Sequence, residues 1–126
     1  MVNRLIMNAA KEIDAITLHD WLTSGQAVNI LDIRSLAERL DSNIPGSIHT
    51  DAYEKIKAND LSAFDKIYLD KSVPVVAFCG GGKTSAIAAG ILSQNGYDAY
   101  SLSRGIKGWN NTIINIPGRS NILHKP

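Results

Sequence analysis

The sequence predicts an α/β fold with a central, mostly parallel sheet of about five strands flanked by helices. Two observations carry this. Short apolar runs of strand length alternate with segments at helical spacing along the 126 residues. Residues 73–95 also run from an apolar strand through a glycine-rich loop into a helix, a unit typical of such sheets. In parallel sheets ligands bind beyond the carboxyl ends of the strands, so the site is sought there.

The elements follow in order. The first ten residues read as irregular. Thr17-Leu-His-Asp20 resembles a capping box and opens a short helix with Leu18, Trp21 and Leu22 on its apolar face. Gly25 is placed to end it. Ala27 to Ile33 reads as a buried strand, with Asp32 and Arg34 at its carboxyl end. Ser35-Leu-Ala-Glu38 is a second capping box and opens another short helix. Ile44-Pro45-Gly46 makes a turn, and Ser47 to Thr50 fits a short strand. Residues 52–69 carry a mixed pattern that suggests one or two short helices.

Val73 to Phe78 reads as a buried strand, with Pro74 near its start, where a missing N–H is tolerated. Cys79 ends it, and Gly80-Gly81-Gly82-Lys83 forms a tight loop. Thr84 to Asn95 is a helix that is apolar on nearly all sides, so burial is expected. Gly96 ends it, and Tyr97 to Leu102 fits a further strand. Ile106, Trp109, Ile113 and Ile114 have the spacing of a last amphipathic helix. From Asn115 onward, with Pro117 and Gly118, the tail reads as irregular. One domain is expected over residues 1–126, with its core over 16–114.

Composition narrows the function. Hydrophobic residues at 44% and charged residues at 20% are the balance of a soluble globular protein. Thirteen Lys+Arg against twelve Asp+Glu leave a net charge of +1, which argues against nucleic acid as a partner. No apolar run approaches the ~18 residues of a membrane span, so no membrane partner is expected. The amino terminus lacks the unbroken apolar core of a signal peptide, and a cytoplasmic location with a reduced thiol is expected. Cys79 is the sole cysteine, so no intrachain disulfide and no Cys-x-x-Cys site can form. His19, His49 and His124 lack metal-ligand spacing, so no metal is expected.

The Cys79 loop carries the chemistry. Glycines let the chain turn tightly and leave backbone N–H groups uncovered. A loop that enters a helix start aims several N–H groups at one point and favours an anion there. Here the natural anion is the Cys79 sulfur, whose pKa such a cup should lower. Lys83 adds positive charge, and Thr84 and Ser85 add hydroxyl donors. A lone cysteine is more often a small buried hydrophobe, but a core cysteine has no need of three glycines and Lys-Thr-Ser behind it. Gly82-Lys83-Thr84 also matches the end of a nucleotide P-loop, yet that motif requires glycine where Ala77 stands.

Four segments now resemble, in order, the rhodanese (sulfurtransferase) family in its single-domain form. Leu31-Asp32-Ile33-Arg34 with Glu38 is similar to the family's Asp-x-Arg motif and its following acidic residue. Asn43-Ile44-Pro45-Gly46-Ser47-Ile48 is similar to its His-Ile-Pro-Gly-Ala-x stretch. Cys79 to Ser85 resembles its Cys-x-x-Gly-x-(Arg/Thr/Ser)-Ser loop. Gly96-Tyr97 and Leu102 to Trp109 resemble its closing Gly-Tyr and Leu-x-Gly-Gly-x-x-x-Trp. Three positions depart from the pattern: Asn43 replaces His, Arg104 replaces the first glycine of a pair, and Thr84 stands where Arg is frequent.

The resemblance implies a rhodanese-like fold and a sulfurtransferase of the thiosulfate type. Cys79 would be the catalytic nucleophile. It would take the sulfane sulfur of thiosulfate or a persulfide donor, hold it as a persulfide, and pass it to a thiol or to cyanide. Gly80, Gly81, Gly82, Lys83, Thr84 and Ser85 would bind substrate. Asp32 and Arg34 are read as structural, fixing loops near the site. No cofactor is implied. The partners would be a small sulfur donor and an acceptor thiol, a protein thiol among the candidates. The bare Gly80 and Gly81 imply a wide, shallow, mobile entrance, and Lys83 or Arg104 would help hold an anionic donor. A sulfur-relay or docking module is the alternative. A thiol-dependent phosphatase or arsenate reductase is disfavoured, because those relatives use a loop one residue longer that ends in Arg. Among the remaining residues, Trp21 and Trp109 are expected in the core, His19 on a solvated helix face and His49 in a structural role. Lys55, Lys57 and Lys66 read as a solvated face, and His124 is assigned nothing.

Overall fold

The structure, a computed structural model, describes residues 11–116. Its elements are β1 (Lys11–Ile13), α1 (Ala15–Thr23), β2 (Asn29–Asp32), α2 (Leu36–Asp41), β3 (Ile48–His49), α3 (Tyr53–Lys57), β4 (Val75–Phe78), α4 (Lys83–Gln94), β5 (Ala99–Leu102) and α5 (Gly105–Ile114). The five strands form one sheet in the order β1-β5-β4-β2-β3, and every pairing is parallel. The α/β class and the parallel sheet follow the sequence reading. No helix among the described residues is long and apolar enough to cross a membrane.

β4 lies at the centre because all four of its residues are apolar and buried. Side chains alternate across a strand, and this divides the core in two. Leu31, Val75, Ala77 and Ala99 face Ile56 of α3 and Ala88, Ile91 and Leu92 of α4. Ile30, Val76, Phe78 and Leu102 face Leu18 of α1 and Trp109 and Ile113 of α5. Asp32 pairs with Phe78 in register, so the carboxyl ends of β2 and β4 are level. Cys79 follows directly.

Several expectations need correction. β1 was not anticipated. It is an edge strand of three residues whose Lys11 and Glu12 are exposed, so only Ile13 carries a burial signal. α1 begins at Ala15, with Asp14 as its cap accepting from Thr17 N. Thr17 therefore lies inside the helix and caps nothing. The earlier start turns the helix so that Ala15, Leu18 and His19 face inward, the i, i+3, i+4 stripe. His19 is thus buried, at 7% exposure, with Trp109 at 6.4 Å between ring centroids, and not solvated. Leu22 and Ile114, expected on apolar faces, are exposed at 37% and 59%. Trp21 is half-buried, edge-on to Tyr100, while Trp109 is in the core as expected.

The second capping box is present in both directions between Ser35 and Glu38. Residues 52–69 form one helix, α3, followed by turns held by Asp60, which accepts from Ser62 N and Oγ. α4 is buried along Ser85, Ala88, Ala89, Ile91 and Leu92. Its other face, including Ile87 and Gly90, is partly open. His124 and the expected tail from Pro117 lie outside the described residues.

Candidate active site

The site is assembled by two strand ends and two helix starts. β4 delivers Cys79, and the chain turns back through Gly80–Gly82 to start α4. Gly82 caps that helix at φ 107, a conformation that favours glycine. The turn folds the loop around the sulfur. Gly82 N donates to Cys79 Sγ at 3.1 Å and Ser85 N at 3.4 Å. Ser85 Oγ lies 3.5 Å from Sγ and 2.8 Å from Ser101 Oγ.

These contacts decide the state of the sulfur. Burial pushes the Cys79 pKa up. The Ser85 hydroxyl and the N–H groups of Ser85, Gly82 and Gly81 outweigh it and hold the thiol below its ordinary value. Donors aimed at an anion stabilise the charged form. Lys83 and Thr84 make no hydrogen bond to Sγ. Lys83 is exposed, Thr84 is partly buried, and both line the pocket over the sulfur.

The loop is clamped from behind by α5. Ile106 N donates to Cys79 O at 2.9 Å and Lys107 N to Gly80 O at 3.3 Å. This needs close approach, and Gly105 allows it: a Cβ there would lie 2.4 Å from Cys79 O and 2.5 Å from Gly80 O. A trans peptide points its N–H opposite its carbonyl. Anchoring Gly80 O behind the loop therefore turns Gly81 N–H toward the sulfur.

Asp32 and Arg34 form a buried bidentate pair. Asp32 accepts from Arg34 Nε at 2.9 Å, Nη2 at 2.9 Å and the backbone N at 3.0 Å. Arg39 Nη1 adds a bond at 3.2 Å. Burial raises the Asp32 pKa, but these donors outweigh it and lower it overall. The guanidinium groups reach on to Ser42 O and Ser47 O, so the network ties down the loops on either side of α2. His49 Nε2 shares a 2.7 Å hydrogen bond with Arg34 O, consistent with a structural role.

The pocket above Cys79 has a volume of about 470 Å³ and is walled by Arg34, Glu38, Asp51, Tyr53, Lys83 and Thr84. At Gly80 and Gly81 an added Cβ would meet nothing within 4 Å, so that rim is open. An adjoining hollow of about 600 Å³ shares Asp51 and Tyr53 and holds neither cysteine nor histidine. Arg104 does not approach the sulfur pocket. It adopts φ 63 before α5 and lies instead beside Asp14, Ile16 and Thr112. Among the described residues, no group of three His, Cys, Asp or Glu side chains gathers to hold a metal ion.

Sequence reasoning missed Arg39, Asp51, Tyr53, Ser101 and Gly105. Ser101 carried a signal: it is a polar residue on the face of β5 whose other member, Ala99, is core. Asp51 and Tyr53 carried none, because only the fold brings them over Cys79.

The family model described as Rhodanese-like domain matches residues 14–112. A putative sulfur carrier protein of Bacillus subtilis is 29% identical over 100 residues, 78% of this chain and 50% of its own length. A tRNA sulfurtransferase of Desulfurococcus amylolyticus is 35% identical over 77 residues, 61% of this chain and 14% of its own length. The chain thus spans half or less of these relatives. The crystal structure of a rhodanese-related protein from Thermoplasma volcanium has the same fold. It is 24% identical, with a TM-score of 0.64, covering 81% of this chain and 92% of that one.

Proposed function

Because the chain belongs to the rhodanese-like domain family, we propose that it is a sulfurtransferase working through a persulfide on Cys79. One observation carries this reading. The buried Cys79 sulfur accepts backbone N–H groups from Gly82 and Ser85 at the floor of an open pocket. That is a thiolate site with room above it for a second sulfur.

The steps balance without a cofactor. The Cys79 thiolate attacks the sulfane sulfur of the donor, a new S–S bond forms, and the donor's S–S bond breaks. With thiosulfate, sulfite leaves with the bonding electron pair. The persulfide carries its negative charge on the outer sulfur, above the loop amides. An acceptor thiolate then attacks that sulfur and returns Cys79 as the thiolate. This is two-step covalent catalysis with ping-pong kinetics.

The pocket bears on the donor and on the acceptor. Asp32 is shared by Arg34 and Arg39, so that cluster keeps one positive charge; with Lys83 it is balanced by the two wall carboxylates, Glu38 and Asp51. A dianion such as thiosulfate is therefore held weakly, and a persulfide donor suits the site better. The bare rim at Gly80 and Gly81, with the adjoining hollow, accommodates a bulky acceptor such as a protein thiol. A relay role between proteins uses the same persulfide, and the open rim favours it over turnover of small molecules.

Intact mass after incubation with thiosulfate tests the reading. The wild type should gain one sulfur, lose it to cyanide, and Cys79→Ser should gain none. A wild type that gains nothing from thiosulfate or from a small-molecule persulfide refutes it. Saturation by thiosulfate at micromolar concentration refutes the weak-dianion argument alone.

A further inference from the structure

Ser101 is a fully buried hydroxyl that lies between the apolar core beside Ala77 and Ala99 and the exposed Glu12 of β1, its register partner. It pairs in register with Ala77 of β4, and Cys79 lies two residues further along that strand on the same face. Its only side-chain partner among the described residues is Ser85 Oγ, at 2.8 Å. Ser85, also fully buried, has two further neighbours, Gly82 O at 3.2 Å and Cys79 Sγ at 3.5 Å.

Counting protons orders this chain. Each hydroxyl has one proton and two acceptor lone pairs. If Ser85 donated to Ser101, the Ser101 proton would be left buried with no acceptor, which is costly. Ser101 therefore donates to Ser85. The Ser85 proton is then free for Gly82 O or for the sulfur. With Cys79 as a thiol, S–H donates to Ser85 Oγ, and Ser85 donates to Gly82 O. With Cys79 as a thiolate, the Ser85 hydroxyl turns to Sγ. Donation from Ser101 polarises Ser85 and favours the charged acceptor.

We propose that Ser101 is a positioning residue, which from β5 fixes the Ser85 hydroxyl and turns its proton onto the Cys79 thiolate. The proposal rests on Cys79 acting as the nucleophile. The titratable and charged groups nearby are Arg34, Glu38, Asp51, Tyr53 and Lys83, which wall the pocket, and Glu12, which pairs in register with Ser101 from β1. None of them hydrogen-bonds to Ser85 or Ser101, so removing the Ser101 hydroxyl leaves their contacts in place.

The test is the rate of iodoacetamide alkylation of Cys79 against pH, with no sulfur donor present. It reads thiol ionisation even if sulfur transfer fails. Ser101→Ala should raise the midpoint by about 0.3–0.7 pH unit, slowing alkylation about two- to fivefold at pH values below the midpoint. The plateau rate at high pH should stay unchanged, which a merely structural defect would not produce. Ser101→Thr, which keeps the hydroxyl, should restore the midpoint. In a Ser85→Ala background Ser101→Ala should add nothing. Should the alanine variant lose its fold, Ser101→Thr and Ser101→Val give the same comparison at equal shape. An unchanged midpoint on loss of the hydroxyl, or an equal rise with and without Ser85, overturns the proposal.

Discussion

Replacing Gly105 by alanine should damage both the fold and the sulfur site, although residue 105 lies 26 positions from Cys79 in the sequence. A Cβ at Gly105 would fall 2.4 Å from Cys79 O, 2.5 Å from Gly80 O and 2.6 Å from Gly80 C. Ordinary contacts begin near 3.5 Å, so α5 and the loop must part by about 1 Å. Overpacking of this kind costs about 1–3 kcal/mol. The left-handed φ of 56 adds about 1–2 kcal/mol for a residue with a Cβ. The sum, about 2–5 kcal/mol, is a large part of the roughly 5–15 kcal/mol of a typical domain. The displacement also weakens the bonds from Ile106 N and Lys107 N to the loop carbonyls, so the loop amides tilt away from the sulfur and the thiol pKa rises. Urea unfolding reads the first effect, and alkylation against pH reads the second. Gly81→Ala is the control, because its Cβ meets nothing within 4 Å, and it should stay within about 0.5 kcal/mol of wild type. If Gly105→Ala unfolds within the same margin and keeps the thiol midpoint, the clamp argument is refuted.

Further outcomes are expected. Asp32→Asn should lose about 3–5 kcal/mol at neutral pH, measured by urea unfolding, because Arg34 would stay buried without its counter-charge. Since folding lowers the Asp32 pKa from its ordinary 3.8, its ionisation contributes stability at higher pH, and this is lost as pH falls from about 3.8 through the lowered folded value. Acid titration of wild type against Asp32→Asn should therefore show the gap closing at low pH. Folding also lowers the Cys79 pKa from its ordinary 9.0. The thiolate thus stabilises the protein fully above pH 9.0, and the gain fades as pH drops through the folded value. Urea midpoints of wild type minus Cys79→Ala should accordingly grow more favourable as pH rises toward 9.

The sequence made the centre of this molecule legible and left its borders obscure. β4 and α4 were readable because VVAF is apolar throughout and the glycines behind Cys79 break the pattern sharply. Ser35 and Glu38 announced their helix by a reciprocal cap that is local in sequence. β1 was hidden because an edge strand of three residues needs only one buried side chain, and its partner β5 lies far along the chain. Thr17 misled because Asp14, three residues earlier, caps the same helix, and that shift carried His19 inside. At the site, Cys79 and the loop were visible because their chemistry is written in consecutive residues. Asp51, Gly105 and the partner of Ser101 depend on contacts between distant segments, which a single sequence does not display, while Arg39 binds Asp32 and Ser47, seven and eight residues away, with no local motif to mark it.

The pairing of Arg34 with Asp32 has a consequence for the setting in which the sulfur works. The Arg34 guanidinium is engaged by Asp32, which Arg39 shares, and the groups that touch the sulfur are peptide dipoles and a hydroxyl held by the fold. Exposed ionic partners lose their hold as salt screens them, within about 8 Å at physiological ionic strength. Buried dipoles packed against Sγ are largely shielded from that effect. The reactivity of Cys79 should therefore stay nearly constant from dilute buffer to molar salt, with only the contribution of exposed Lys83 fading.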